Sequence, residues 1–344
     1  MQIFPFIPRV TIIKLIKNKL ISVIKINTDN IFSLIVVLLF IMIQSCSTTS
    51  ILKTTPNTVE SFMIKRSNVI AKKDYSNISS DKLLKHSIFL TMTGFGFVME
   101  NAEKELDEDY QKGLELYKNA NIYFEKAVLL GNRHLLNKYP NFDDWLTKKN
   151  YNDIEFIKED VEALYWLAAA YGGAVSSSRG NPQWVIHLPK VGQLVEKALE
   201  LNPTWNYGSL YSVMISYATT LSNTSEKDWD KDGYIGGYNR FGKKSKVNGY
   251  YNMKGVRESE YIGVDIATNY YKLALKASDG MDLSPHVSYA ENVLVFQQNR
   301  TEFIQLLDLV IKSNKKEIKE LELGNYMAKQ RAKWLLTRIE ELFY

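Results

Sequence analysis

The 344-residue sequence predicts an all-α fold, a bundle or solenoid of repeated helix pairs with one long insertion. Three observations support this prediction. Apolar residues recur at helical spacing along most of the chain, one small-large-small apolar pattern returns several times, and only five prolines follow position 57. Because proline interrupts helices, the long proline-free segments favour helical structure.

The first 45 residues are typical of a secretory leader. A charge-free apolar run covers residues 31–43, and at 1.5 Å per residue it spans roughly 20 Å, which is short for a membrane helix. Five basic residues and one acidic residue precede this run. The arrangement predicts a signal peptide over residues 1–45, and an uncleaved membrane anchor is the alternative.

The only cysteine of the chain, Cys46, lies three positions after the apolar run. With Ile43, Gln44 and Ser45 it resembles a bacterial lipobox, in which an aliphatic residue stands three positions before the cysteine and a small residue just before it. The resemblance implies cleavage before Cys46 and lipid attachment there. Ser47 resembles the residue that follows the cysteine in outer-membrane lipoproteins, which predicts an outer-membrane anchor and a domain that faces the periplasm.

Beyond the leader, residues 46–58 are rich in serine and threonine and predict a tether to a folded domain at 59–344. The whole chain has 43 basic and 38 acidic residues, but without the leader 38 and 37 remain. A nearly neutral domain lacks the basic field that concentrates nucleic acid, so nucleic-acid binding is not expected. A single cysteine excludes an internal disulfide.

Four segments share one apolar pattern, with residues at i, i+4 and i+7 that fall on one helix face. The four sets are Ala120, Phe124 and Ala127; Val191, Val195 and Ala198; Ala267, Tyr271 and Ala274; and Phe303, Leu307 and Val310. The aromatic members, Phe124 and Tyr271, are predicted to lie in the core between helices.

Tetratricopeptide repeats are pairs of helices that recur every 34 residues. Each of the last three sets resembles the second helix of such a pair and follows a segment that resembles the first. The second and third copies are longer than this repeat, which predicts a short insertion around residues 176–189 and a long insertion at about 221–261. A final apolar stripe from Ala328 to Phe343 predicts a helix that caps the stack.

Sequence motifs of catalysis are absent. The four histidines lie far apart, and the chain has no HExxH pair, P-loop, nucleophile elbow or Gly-x-Gly-x-x-Gly loop. These observations predict a protein that is not an enzyme and has no cofactor. A site assembled from distant residues is the alternative.

One metal motif lies in the long insertion. Asp228, Asp230 and Asp232 occupy positions 1, 3 and 5 of a calcium-loop pattern, and glycine occupies position 6. Position 12 is Asn239, where the pattern needs a bidentate glutamate. The sequence therefore predicts at most a weak Ca²⁺ site, and a solvated acidic turn is the alternative.

Aromatic residues lie within and after the alanine-rich segment at 165–174. We expect these residues to line an apolar ligand groove with polar tips, and packing in the core is the alternative. The predicted groove residues are Trp166, Tyr171, Trp184, Trp205 and Tyr211. Within the same segment, Gly172 and Gly173 either end the helix or let another element approach its backbone.

Four segments carry a family resemblance: residues 165–173 (YWLAAAYGG), 188–203, 207–214 and 288–307. In content and order they resemble the T-component family of tripartite ATP-independent periplasmic (TRAP) transporters, TatT-like lipoproteins. The resemblance implies cryptic tetratricopeptide-like repeats, a lipid anchor and possible homo-oligomers. It also implies a role in solute uptake, through binding of a solute or of the periplasmic solute-binding protein. A general interaction scaffold of the cell envelope without a transporter link is the alternative.

Overall fold

A computed structural model describes residues 54–147, 154–220, 262–314 and 318–344, together with Leu52. Within these ranges every regular element is a helix, which confirms the predicted all-α class. The helices before the predicted long insertion are α1 (Pro56–Lys72), α2 (Ser80–Thr93), α3 (Glu100–Glu108), α4 (Tyr110–Lys138), α5 (Phe142–Thr147), α6 (Val161–Ser177), α7 (Pro182–Val185), α8 (Leu188–Leu201) and α9 (Ser209–Thr220). Those after it are α10 (Ile262–Ala277), α11 (Ser284–Tyr289), α12 (Arg300–Lys312), α13 (Glu322–Thr337) and α14 (Ile339–Leu342).

Two helices change their hydrogen-bond pattern at their carboxyl ends. A π-helical segment, Gly94–Met99, joins α2 to α3, and a second one, Ala290–Leu294, continues α11. Short 3₁₀ turns precede α6 at Lys158–Asp160 and α9 at Trp205–Gly208. π-helical segments are uncommon and occur frequently at functional sites, so both segments mark candidate functional positions.

Several helix boundaries follow from their capping residues. Asp109 accepts a hydrogen bond from the backbone N–H of Lys112 at the start of α4, and Asn299 does the same for Glu302 at the start of α12. A proline in the first turn of α1 suits the helix start because that backbone nitrogen needs no partner. Helix α1 therefore includes residues 56–58, which the sequence predicts to be part of the tether.

Helices that are close in the sequence pack against one another. Helix α2 contacts α4, α6 contacts α8, α9 contacts α10, and α11 contacts α12, while α4–α6 and α8–α9 contacts connect successive pairs. These contacts agree with helix pairs, but the tetratricopeptide-like repeat stays a prediction. The predicted long insertion at 221–261 lies outside the described residues.

The predicted core faces are buried with one exception. Phe124, Val195 and Leu307 are fully buried, as the pattern predicts. In α10, however, Tyr270 takes the fully buried position and Tyr271 is only partly buried. The hydroxyl of Tyr271 lies 2.6 Å from His286 Nδ1 instead. The buried face of α10 thus runs through i+3 rather than i+4.

The paired glycines do not end a helix, because α6 continues through them to Ser177. A Cβ atom on Gly173 would lie only 2.3 Å from the Phe124 ring of α4, and one on Gly94 would lie 2.6 Å from the same ring. The side chain of Phe124 therefore fills a space that two glycines leave open. The second of the two predicted roles, close approach of another element, is confirmed for Gly173.

The last long helix, α13, buries Ala332 and Leu335, in agreement with the predicted apolar stripe. It packs against α11 and α12. Asn325 of α13 also binds the turn before α11. Its Oδ1 accepts a hydrogen bond from the backbone N–H of Leu283, and its Nδ2 donates one to the carbonyl of Met281. These contacts hold α13 against the start of α11.

The same turn buries a carboxyl group, that of Asp282. Its Oδ1 accepts a hydrogen bond from the backbone N–H of Ser284 at 2.9 Å, whereas Oδ2 is buried without a hydrogen-bond partner among the described residues. Burial raises the pKa of Asp282 from 3.8 to about 6. The fold therefore favours the protonated form.

We expect Asp282→Asn to flatten the pH dependence of stability. Because the folded-state pKa is the higher one, the aspartate's contribution is fully present below pH 3.8 and is lost as the pH rises through about 6. At pH near 8 the variant should be more stable than the native chain by up to roughly 3 kcal/mol, and near pH 4 this gain should vanish. Urea denaturation at both pH values measures the difference. Asp308→Asn, at a partly exposed carboxylate, is the control, and an equal gain at both pH values would contradict the expectation.

Candidate functional site

The aromatic residues predicted to line a groove lie in three separate places. Trp166 is fully buried in the core, where its ring meets the edge of Tyr165 at 5.2 Å between centroids, and Trp205 contacts the other side of the same tyrosine at 4.8 Å. Tyr211 packs against Tyr270 of α10 instead. Trp166, Trp205 and Tyr211 therefore do not form one groove with Tyr171 and Trp184.

Tyr171 and Trp184 do come together, and they meet through His187. The His187 ring lies 5.7 Å from Tyr171 and 5.6 Å from Trp184. The Nζ of Lys190 lies 5.3 Å from the centre of the Tyr171 ring. Burial lowers the pKa of His187, and the charge of Lys190 lowers it further. The cluster is thus an aromatic site that is buried at Tyr171 and partly exposed at Trp184 and His187, and its surroundings disfavour the charged form of the imidazole.

The turn between α6 and α7 places Trp184 beside α4. Arg179 (φ 53°) and Gly180 (φ 89°) reverse the chain, and the side chain of Asn181 accepts from the backbone N–H of Gln183 to start α7. Trp184 Nε1 then donates to Glu125 Oε1 of α4 at 3.2 Å. This hydrogen bond connects α7, which packs against α6, to the middle of α4.

Around this hydrogen bond the molecule exposes large apolar side chains. Ile186 and Val185 are 68% and 42% exposed at the end of α7, and Ile122 and Leu129 are exposed one turn to either side of Glu125. We define the α4–α7 surface by Ile122, Glu125, Leu129, Trp184, Val185 and Ile186. Clustered apolar side chains in water are typical of protein interaction sites.

Comparison with protein families gives this surface a context. A family model described as TRAP transporter T-component matches residues 76–225 and 257–343, which is more than half of the chain. The chain belongs to the TRAP transporter T-component family. This T-component carries its α4–α7 surface within the first matched range. The match is interrupted between residues 225 and 257, inside the predicted long insertion. A search of curated proteins found no match to the chain.

The T-component also contains a buried ion cluster that the sequence analysis missed. Arg331 of α13 is only 2% exposed, and its guanidinium contacts Glu103 Oε2 at 2.7 Å, Glu291 Oε1 at 2.5 Å and Glu100 Oε2 at 3.4 Å. The guanidinium also lies 4.3 Å from the Trp334 ring. Burial disfavours the charge of Arg331, but the three carboxylates together raise its pKa.

Both π-helical segments among the described residues of the T-component adjoin this ion cluster. Glu100 directly follows the first segment, and Glu291 belongs to the second. A sequence signal for the cluster does exist: Arg331 lies three positions after Ala328, so a charged residue stands on an apolar stripe. Two of its partners, Glu100 and Glu103 on α3, are more than two hundred residues away, and Glu291 is forty residues away, so helical periodicity does not reveal them.

The remaining predicted sites lie outside the described residues. These are the lipid site at Cys46 and the calcium motif of Asp228, Asp230, Asp232 and Asn239. Within the described residues of the T-component, no group of three His, Cys, Asp or Glu side chains could hold a metal ion. None of the helices described is both long and apolar enough to cross a membrane.

Proposed function

We propose that this T-component is a non-enzymatic, lipid-anchored periplasmic protein that assists solute uptake by binding the solute-binding component of its transporter. Family membership already supports a TRAP transporter component of the bacterial envelope. The finer proposal depends on one observation, the exposed apolar α4–α7 surface within the matched region. The acyl chain on Cys46 would keep this surface at the periplasmic face of the membrane.

The chemistry of the α4–α7 surface suits a protein partner. Stable interfaces have an apolar centre, often with tryptophan, and a polar rim. Here Ile122 and Leu129 lie seven positions apart on one face of α4, and the Glu125–Trp184 hydrogen bond lies between them. The indole of Trp184 is thereby held in place before binding, which lowers the entropy cost of association.

The half-buried cluster of Tyr171, Trp184 and His187 supports direct binding of a solute as the second candidate. Trp184 belongs both to this cluster and to the α4–α7 surface. A solute bound in the cluster would therefore affect the position of Trp184 on the α4–α7 surface. A general envelope scaffold would use the same surface, but the family match favours a transporter partner. The proposed tetratricopeptide-like array would present the surface on consecutive helix pairs.

We expect the double variant Leu129→Lys and Ile186→Lys to weaken binding of the solute-binding component by at least about tenfold, since each central apolar contact contributes roughly 1–2 kcal/mol. Both side chains are exposed, so the fold should be unaffected. Isothermal titration calorimetry with the purified solute-binding component measures the change.

A matched control for this experiment is Leu309→Lys, which places the same charge on an exposed leucine of α12. It should leave the affinity unchanged. Equal affinity of the double variant and the native chain would reject the α4–α7 surface as the binding site. Analytical ultracentrifugation of the same variants tests for homo-oligomers, because loss of an oligomer in the double variant would show that the surface joins copies of this chain.

A further inference from the structure

A basic cleft of about 420 Å³, which we call the α1 cleft, lies between α1 and α2. Its residues precede those of the α4–α7 surface in the sequence. Apolar side chains and cations line it together, and its lining includes no carboxylate. The lining residues are Phe62, Lys65, Arg66, Val69, Ile70, Lys73, Lys82 and His86. A cleft of this composition fits a molecule that has both an anionic group and an apolar part.

The cations of the α1 cleft are not neutralised by the protein. Among the described residues, none of the four lysine and arginine side chains of the lining has a carboxylate within ion-pair distance. The nearby acids on α1 and its following turn have other partners, since Glu60 accepts from Asn101 at 2.6 Å and Asp74 accepts from Ser76. The positive charge of the cleft is therefore available to a ligand.

Arg66 shows the strongest need for an anion. Its Nε is buried and has no hydrogen-bond partner among the described residues, and its guanidinium lies 5.1 Å from the Phe89 ring. Burial lowers its pKa, which means that its charge is poorly solvated. Beside it, His86 is 7% exposed and uses Nδ1 to contact the Tyr75 hydroxyl at 2.8 Å. Because Arg66 lines the cleft, an oxyanion there would compensate the charge of its guanidinium group.

The outer face of α1 continues the same chemistry. Phe62 and Val69 are 50% and 69% exposed and alternate with Lys65 and Lys73 along one stripe. Helices that lie at a membrane surface combine exposed aromatic or aliphatic residues with lysine and arginine in this way. The adjacent face of α1, about a third of a turn away, is buried through Met63, Ser67 and Ile70, so the exposed stripe lies beside the core-facing side of the helix.

We propose that the α1 cleft binds the phosphate headgroup of an anionic phospholipid and holds α1 on the membrane surface. Arg66 and the lysines would contact the phosphate, while Phe62 and Val69 would enter the boundary between headgroups and acyl chains. The inference rests on the proposed lipid anchor for its geometry. Cys46 precedes Pro56 by ten residues, a length of at most about 35 Å when extended, which keeps the cleft near the bilayer.

A thiol label on α1 tests this inference in the full-length, acylated protein. Cys46 is the only native cysteine, and the proposed acylation blocks its thiol, so Val69→Cys supplies a single site for an environment-sensitive fluorophore. The protein is reconstituted in vesicles of phosphatidylcholine alone or of phosphatidylcholine and phosphatidylglycerol in equal amounts. We expect a blue-shifted emission only with phosphatidylglycerol. A label at Leu309→Cys on α12 should give the same emission in both.

Charge variants of the labelled protein identify the side chains that contact the lipid phosphate. Lys65→Gln and Lys73→Gln should each raise the phosphatidylglycerol fraction needed for half-maximal shift several-fold, because each basic side chain near an anionic surface contributes about a fivefold factor in binding. Lys65→Arg and Lys73→Arg keep the charge and should restore the native response. Arg66→Gln should abolish the shift.

Two outcomes would overturn the headgroup site, and a third distinguishes it from the proposed lipid anchor. Identical emission in both lipid mixtures overturns it. A shift produced by soluble glycerol phosphate with phosphatidylcholine vesicles shows a site for a free anion and also overturns it. Protein that fails to sediment with phosphatidylcholine vesicles rejects the lipid anchor at Cys46, yet a shift confined to phosphatidylglycerol would still support the headgroup site.

Discussion

Replacement of Arg331 by methionine is expected to lower the free energy of unfolding by about 3–5 kcal/mol, the usual effect of removing one partner from a buried ion cluster. The substitution leaves Glu100, Glu103 and Glu291 near one another without a cation. Methionine is similar in length to the aliphatic part of arginine, so the loss reports the charge rather than an empty space. Urea denaturation at neutral pH measures it.

The pH dependence separates this explanation from a simple packing defect. Without Arg331, burial and mutual repulsion should raise the pKa values of the three carboxyl groups, and the folded state would then bind protons more readily than the unfolded state. The variant should therefore recover part of its stability as the pH falls toward about 5. Arg300→Met, which removes an exposed contact with Glu340, should cost less than about 1 kcal/mol. A loss for Arg331→Met as small as that of this control would contradict the expectation.

Gly173→Ala is expected to destabilise the fold by about 3 kcal/mol, at the upper end for one added methyl group. The new Cβ would lie 2.3 Å from the Phe124 ring, which cannot withdraw because Gly94 contacts it from another side. Thermal unfolding followed by circular dichroism measures the effect.

A double-mutant cycle checks the cause of this loss. Phe124→Leu removes ring atoms that meet the new methyl group, so the double variant should be more stable than the sum of the two single effects predicts. Gly96→Ala is the matched control, because its Cβ would meet nothing nearer than Met327 at 3.9 Å. Strict additivity in the cycle would show that Phe124 is not the cause.

Helical periodicity was sufficient to predict the fold class and most of the buried faces. The i, i+4, i+7 pattern correctly placed Phe124 in the core because a helix face follows from its period alone. The same pattern placed Tyr271 in the core, where Tyr270 lies. Two adjacent tyrosines differ by about a third of a turn, and only their tertiary partners decide which one is buried.

The candidate sites were harder to predict, because they depend on contacts between distant elements. Trp166 and Trp184 are both aromatic and lie close in the sequence, yet one is buried in the core and the other is held by Glu125 of α4. The basic cleft combines residues of α1 and α2, and its cations look like ordinary surface lysines until the absence of nearby carboxylates is known. Sequence spacing contains neither kind of information.

The contact between Arg331 and α3 also has a consequence for the order in which the protein folds. Arg331 and Glu103 are separated by 228 residues, so the two acids of α3 are made long before their cation. During synthesis the amino-terminal helices can pair with near neighbours, but they must leave these carboxylates in water until α13 arrives. Docking of α13 is therefore a late step of folding, and a chain that stops before residue 331 should remain open at α3, exposed to proteases.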